Sequence, residues 1–245
     1  MQRSLLAWYA ENGRDLPWRK RRDPYAILVS EVMLQQTQAA RVVPRYTEWL
    51  ERWPTVADLA EAAVSDVIRA WQGLGYNRRA VNLHRAARRI AAEGWPSDLT
   101  KLPGVGRYTA DAVALFAHGK RVIPVDTNVA RVRARTHGKF GPDAVHALMD
   151  LGALVCLARV PRCPICPLAS ACPSRGRRFE PMRKQGRLEG SFRQRRARVL
   201  RLVAEERRSE SELDREAVAS LVRDGLVERV AGTVALPGEQ RPPSA

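Results

Sequence analysis

The sequence predicts an all-α protein that ends in a small winged-helix-like module. Three observations carry this reading. Residues 1–155 form a succession of amphipathic segments divided by glycine and proline, with no run of strand alternation. All four cysteines fall between Cys156 and Cys172, so one compact loop closes the helical region. The stretch 192–237 then offers three helical segments followed by one short hairpin.

Each element has a local cause. Trp8 and Tyr9 lie in a first amphipathic segment. Asp23-Pro24 supplies a cap followed by proline at the first helical position, which predicts a helix from Tyr25 to about Gln35. Further helices are predicted near 40–52, 56–71 and 77–93, the last stopped by Gly94 with Pro96 beyond it. Ser97 is expected to cap a short helix to Leu102, and Gly104-Val105-Gly106 breaks the chain before a helix that runs to His118 and stops at Gly119. Helices over about Asn128–His137 and Asp143–Val155 complete the region. After the cysteines, Phe192–Glu206, a short helix started by Ser211, and Arg215–Arg223 precede a hairpin around Ala231-Gly232. The expected organisation is a helical domain with its cysteine loop over 1–175, a basic linker over 176–191, the module over 192–237 and a disordered tail over 238–245.

Composition narrows the function. With 245 residues and 45% apolar content the chain can bury a core. No apolar run approaches the roughly 18–20 residues of a membrane span, and the N-terminus has no signal-peptide pattern, so no membrane partner and a cytoplasmic, nucleoid-associated location are expected. Lys and Arg exceed Asp and Glu by 16, and the pI of about 10.8 points to a polyanion, most simply nucleic acid. Between Arg177 and Arg208 stand 12 basic and four acidic residues, half of the whole surplus.

Two constellations carry chemistry. The cysteines are spaced C-x6-C-x2-C-x5-C as Cys156, Cys163, Cys166 and Cys172. Structural zinc usually takes two close C-x2–4-C pairs and only one is present, so a [4Fe–4S] cluster is the preferred reading and zinc the alternative. Leu102-Pro103-Gly104-Val105-Gly106 between two helices reads as a helix-hairpin-helix. Its glycines let backbone approach a phosphate, and the following helix start offers N–H groups to it. An ordinary helix–helix turn is the plainer reading of the same residues. Glu31 shares a helix face with Ile27 and Leu34, an apolar setting that would raise its pKa and suit it to donate a proton. Asp126 precedes a helix, where aspartate is usually a cap, and a cap can stay ionised. A proton-donating carboxyl and an ionised one are the pair that cleavage of a glycosidic bond requires.

The stretches Arg14-Asp-Leu-Pro-Trp-Arg19, Ser30-Glu-Val-Met-Leu-Gln-Gln-Thr-Gln38, Gly73-Leu-Gly-Tyr76, Leu102-Pro-Gly-Val-Gly-Arg-Tyr-Thr109, Val125-Asp-Thr-Asn-Val129 and Met149-Asp-Leu-Gly152, with the cysteine loop, resemble MutY-type adenine DNA glycosylases of the helix-hairpin-helix superfamily of endonuclease III. The resemblance covers roughly residues 1–175. It implies a six-helix domain with an iron–sulfur domain and, as partner, double-stranded DNA holding a mispaired or damaged base. It further implies a monofunctional enzyme that removes adenine opposite 8-oxoguanine or guanine, with a monomer expected. Glu31 would protonate adenine at N7, Asp126 would stabilise the oxocarbenium-like sugar, and Asn128 would help position the site. Tyr108 stands where bifunctional relatives carry a lysine nucleophile. Leu16, Trp18, Arg19 and Asp150 match positions lining the adenine pocket, although Leu16 and Trp18 also suit plain core. Gln36 and Tyr76 match side chains that wedge into the helix, although Tyr76 also suits a packed turn. Gly104, Gly106 and Arg107 would contact DNA.

The chain departs from the family pattern twice. The stretch from Asn128 to Cys156 is short by more than a helix, which puts the packing behind Asp126 in doubt. The place of a MutT-like lesion-recognition domain is taken by about 55 residues of basic sequence, in which Arg193, Arg195, Arg196 and Arg198 are expected to reach for phosphate or to form a solvated face. Two rivals remain: a thymine or uracil mismatch glycosylase on the same scaffold, and an iron–sulfur DNA-binding regulator without enzymatic activity.

Overall fold

A computed structural model of the chain describes residues 1–180 and 186–239. The expected linker falls partly, and the expected tail mostly, outside these residues. Within the described part of the tail, Gly238 takes a left-handed φ of 77° and Glu239 donates its N–H to Leu236 O. The chain forms two compact units. Among the described residues, one comprises 1–27 and 107–180, the other 28–106 and 186–239.

The first unit contains α1 (Gln2–Asn12), a 3-10 turn at Pro17–Lys20, α7 (Arg107–Phe116), α8 (Thr127–Thr136), α9 (Val145–Leu154) and the cysteine loop. Leu5 of α1 is buried among Val129 and Val132 of α8 and Leu148 and Leu151 of α9. The short 128–156 stretch therefore still surrounds the base of α8. Helix α8 packs directly on α9, so closely that a Cβ on Gly152 would lie 2.6 Å from Asn128 Cβ.

The second unit contains most of α2 (Pro24–Leu34), then α3 (Ala39–Arg52), α4 (Val56–Glu61), α5 (Val64–Ala70) and α6 (Arg78–Glu93). Trp49 is central: its ring meets Trp53 at 4.7 Å and Trp71 at 5.4 Å, both edge-on. The same unit holds α10 (Phe192–Glu205), α11 (Arg215–Arg223) and a sheet of β1 (Arg208–Ser209), β2 (Glu228–Val230) and β3 (Thr233–Ala235) in the order β1-β3-β2, antiparallel throughout. Val199, Leu200, Val203, Val218 and Leu221 share one core with Ile68 of α5 and Val81 of α6. The winged-helix-like segment is thus packed onto the helices of its unit.

Most predicted helices stand within a residue or two of their expected bounds. Four details differ. The helix expected over 56–71 is two, because Ala62 and Ala63 are extended, and His84 donates from Nε2 to the Ala62 carbonyl at 3.0 Å to hold the break. The segment after Ser97 is only a 3-10 turn (Leu99–Lys101), capped by Asp98, which accepts from Thr100 N at 3.0 Å. The segment expected to start at Ser211 is a 3-10 turn over Glu210–Glu212 that follows Ser209. The hairpin turn is where expected, with Ala231 and Gly232 both at positive φ, but strand β1 joins it and was not expected. No helix among the described residues is long and apolar enough to cross a membrane.

Candidate active site and cysteine loop

In the first unit, the loop after α1 and helix α9 build one buried ion cluster. Asp150 is fully buried. It accepts from Arg14 N at 2.8 Å, from Arg14 Nε at 2.8 Å, and from Arg19 Nη1 and Nη2 at 2.8 and 2.7 Å. Burial alone would raise the Asp150 pKa, but the hydrogen bonds from Arg19 and Arg14 outweigh it and hold the carboxyl below its ordinary value. Leu16 and Trp18, both buried, flank the strand-like entry to the turn that presents Arg19. Arg19 also reaches Tyr9 OH at 3.3 Å. His146 lies one turn before Asp150 on α9 and stacks on Phe116 at 4.4 Å. Burial, and then the Arg19 charge, push its pKa down to about 4, so the ring is neutral at physiological pH.

Asp126 is the N-cap of α8, as its position before the helix predicted, and accepts from Val129 N at 2.6 Å. Asn128 donates from Nδ2 to Asp126 Oδ2 at 2.9 Å. The contact chain continues: Arg131 donates from Nη2 to Asn128 Oδ1 at 2.6 Å and to Gly152 O at 2.6 Å, and from Nε to Cys156 O at 2.7 Å. Asp126 is therefore fixed from its own helix and, through Arg131, by the first residue of the cysteine loop. Tyr108 sits in the first turn of α7, half-buried. Arg107 beside it is exposed and pairs with Asp111 at 3.0 Å.

None of the four cysteines is joined in a disulfide, and all line one cavity together with Arg135, Leu151, Val155 and Pro161. Burial raises the Cys166 pKa, and the nearby Cys156, Cys163 and Cys172 raise it further. N–H donors face the sulfurs: Arg135 Nη1 lies 3.5 Å from Cys156 Sγ, and Gly176 N lies 3.3 Å from Cys163 Sγ. Among the described residues no group of three or more His, Cys, Asp or Glu side chains is already arranged to hold a metal ion.

In the second unit, Glu31 is 4% exposed on α2, among buried Ile27, Leu28, Val32 and Met33, as the apolar pattern predicted. Gln36 and Tyr76 are both exposed, Tyr76 at 44%, and both take left-handed backbone, with φ of 57° and 47°. Gly104 has a φ of 76°, and a Cβ there would meet Asn82 Cβ at 2.8 Å, so glycine is required for the turn. At Gly106 an added Cβ would meet nothing within 4 Å, which leaves the backbone open to close approach. Three residues of these networks were not singled out from the sequence: Arg14, Arg131 and His146. Two are arginines in a chain with 42 basic residues, where no local signal separates a buried arginine from a surface one.

Residues 29–149 match the model of the HhH-GPD superfamily of base excision DNA repair proteins. Over 96% of its length the chain is 44% identical to the adenine DNA glycosylase of Mycobacterium tuberculosis, of which it covers 93%. The chain belongs to the adenine DNA glycosylase family. Like its superfamily, it is a DNA glycosylase of base excision repair with a helix-hairpin-helix fold. It is 41% identical to the human adenine DNA glycosylase over 77% of this chain and 42% of that protein. Among solved structures, it resembles a thermostable thymine-DNA glycosylase with a TM-score of 0.64 and 29% identity, over 70% of this chain and 93% of that one. An endonuclease III trapped as a covalent DNA intermediate gives a TM-score of 0.61 and 25% identity over 70% and 92%.

Proposed function

We propose that this glycosylase hydrolyses the N-glycosidic bond of adenine mispaired with 8-oxoguanine or guanine in double-stranded DNA, acting as a monomer in the nucleoid. The observation that carries the reading is the Glu31 carboxyl, almost wholly buried in an apolar helix of a member of this family. Glu31 gives its proton to adenine N7, and the electron pair of the C1′–N9 bond leaves with the base. Asp126, oriented by Val129 N and Asn128, offsets the positive charge that develops on the sugar. Water then bonds to C1′ and releases its proton, leaving an abasic site in an uncut strand. Leu16, Trp18, Arg19 and Asp150 form the pocket for the flipped base, Gln36 and Tyr76 fill the gap in the stack, and Gly104, Gly106 and Arg107 hold backbone phosphate.

Tyr108 offers no primary amine, and neither do its neighbours Arg107 and Thr109, so no imine forms there. The four cysteines suit a [4Fe–4S] cluster: they line one cavity, their spacing has a single close pair where structural zinc usually takes two, and N–H groups face two of the sulfurs. Bound there, the cluster would supply structural cross-linking of the loop, and iron analysis of anaerobically purified protein should find about four irons per chain.

Single-turnover excision across a panel of mispaired duplexes tests the reading. Wild type should release adenine opposite 8-oxoguanine and guanine, and Glu31→Gln should bind the same duplexes while losing about 10²–10⁴-fold in rate. Release of thymine or uracil opposite guanine, without adenine release, would establish the rival activity, and binding with no base release would establish a non-enzymatic role.

A further inference from the structure

Arg79, in the first turn of α6, is 8% exposed. Its guanidinium donates to carbonyl and hydroxyl oxygens at the end of α2 and in two loops. Nη1 donates to the carbonyls of Val32, Met33 and Gln35 at 2.8, 2.9 and 2.6 Å, where α2 ends. Nη2 donates to Thr37 Oγ1 at 3.0 Å and to the carbonyls of Leu74 and Gly75 at 3.2 and 2.9 Å, and Nε reaches Tyr76 O at 3.4 Å. The rings of Trp71 and Tyr76 lie 5.2 and 5.6 Å from its centre. Burial lowers its pKa to about 10, which leaves it charged at neutral pH. A planar fork with five N–H donors suits this task, because it can satisfy converging carbonyls from two directions at once.

The acceptors bracket two exposed residues. Gln36 lies between Gln35 and Thr37, and Tyr76 follows Gly75. Both are non-glycine residues held at positive φ, a conformation that is costly unless its surroundings impose it. Thr37 Oγ1 also donates to Leu74 O at 3.3 Å, so the two loops touch each other as well as Arg79.

We infer that Arg79 is a positioning residue which fixes Gln36 and Tyr76 as one rigid pair, so that both enter the DNA stack in register when the target base leaves it. This rests on the proposed reading of Gln36 and Tyr76 as wedges. Arg79 touches neither base nor sugar; it acts through the two loops. It follows that losing the fork harms base extrusion and leaves proton transfer to an already extruded base intact. Lysine keeps the charge but has one nitrogen and three donors, so it cannot span both loops.

The test uses full-length protein and a duplex carrying 2-aminopurine at the target position, whose fluorescence rises when the base unstacks. Arg79→Lys should cut the amplitude or rate of that rise at least fivefold and slow duplex excision to match. Excision of adenine from an unpaired bulge should stay within twofold of wild type. A double variant, Gln36→Ala with Tyr76→Ala, supplies the background for a cycle: there Arg79→Lys should have no further effect on the fluorescence. Thr37→Val removes one acceptor and the bond between the loops, and should give a smaller loss of the same kind; it stands in if Arg79→Lys does not fold. Equal losses on bulge and duplex, or an undiminished effect of Arg79→Lys in the double-variant background, would show a general packing role and overturn the inference. If Gln36→Ala with Tyr76→Ala leaves the fluorescence unchanged, the wedge reading fails and this inference with it, while adenine release by wild type would still support the glycosylase reading.

Discussion

Replacing Asp150 with asparagine should destabilise the protein by about 3 kcal/mol. The carboxylate is fully buried and accepts four N–H bonds of 2.7–2.8 Å from Arg14 and Arg19. Asparagine keeps the shape but turns one acceptor into a donor, which then faces guanidinium N–H groups. Removing one partner of a buried ion pair typically costs about 3–5 kcal/mol because the other charge is left uncompensated. The lower end applies here, since the Arg14 side chain is 30% exposed and recovers some hydration, whereas that of Arg19 is 9% exposed. For a chain of this size the corresponding drop in Tm is about 6–12 °C. Equilibrium urea unfolding followed by tryptophan fluorescence reads the loss directly. The pH dependence adds a check. A carboxyl with a depressed folded pKa contributes fully above its unfolded value of about 3.9, and the contribution is lost as pH falls through the folded value. The wild-type advantage should therefore be flat from pH 5 to 8. A difference below about 1 kcal/mol, or one that fades between pH 7 and 5, would refute the buried-cluster argument.

Other consequences follow from the same unit. His146 has a folded pKa of about 4 against about 6.5 when unfolded, so the unfolded chain binds the extra proton first. Its contribution is complete above pH 6.5 and falls away toward pH 4, a span worth about 3 kcal/mol; His146→Gln should flatten that part of the stability–pH curve, and an unchanged slope would show that the ring is not held neutral. Gly152→Ala would place a Cβ 2.6 Å from Asn128 Cβ and 3.0 Å from its Cα. We expect a cost of about 1–3 kcal/mol and an excision rate reduced more than DNA affinity, because Asn128 orients Asp126; single-turnover rates equal to wild type would separate α8 packing from the site.

What was legible in the sequence was local. The cap at Asp126, the stops at Gly94 and Gly119 and the apolar surroundings of Glu31 each depend on a few neighbouring residues, and each stands as read. What was not legible depends on partners far away in the chain. Two good helix formers, Ala62 and Ala63, break a helix because His84 claims the carbonyl of the first. Strand β1 has two residues and exists only through pairing with β3. Arg14 and Arg19 meet Asp150 across more than 130 positions, and Arg79 binds a loop more than 40 residues away. The family pattern marked Arg19 and Asp150 separately; their mutual neutralisation belongs to the fold. Such long-range ion and carbonyl contacts have no periodicity to read, so an arginine-rich chain hides its buried arginines among its surface ones.

The C-terminal module shows how packing changes an experiment as well as an interpretation. Read from sequence, its first helix offers Arg193, Arg195, Arg196 and Arg198 to phosphate, and truncation after Gly190 should lower affinity for every duplex alike. Two of the four are otherwise engaged. Arg195 pairs with Asp214 and Glu216 at 2.8 Å each, and Arg196 with Asp224 and Ser220. Truncation would moreover strip the apolar cover from Ile68 and Val81, so lost affinity could not be told from lost stability. The exposed Arg193 and Arg198 give the cleaner test, because surface substitutions of this kind usually change stability by less than about 0.5 kcal/mol. If both neutralise phosphates, the variant Arg193→Ala with Arg198→Ala should lower the slope of log affinity against log salt by about 1.8. It should weaken undamaged, A·G and A·8-oxoguanine duplexes equally, since a backbone phosphate carries no information about the base. An unchanged salt slope would assign these arginines to a solvated face, and a selective loss for A·8-oxoguanine would make the module a lesion reader.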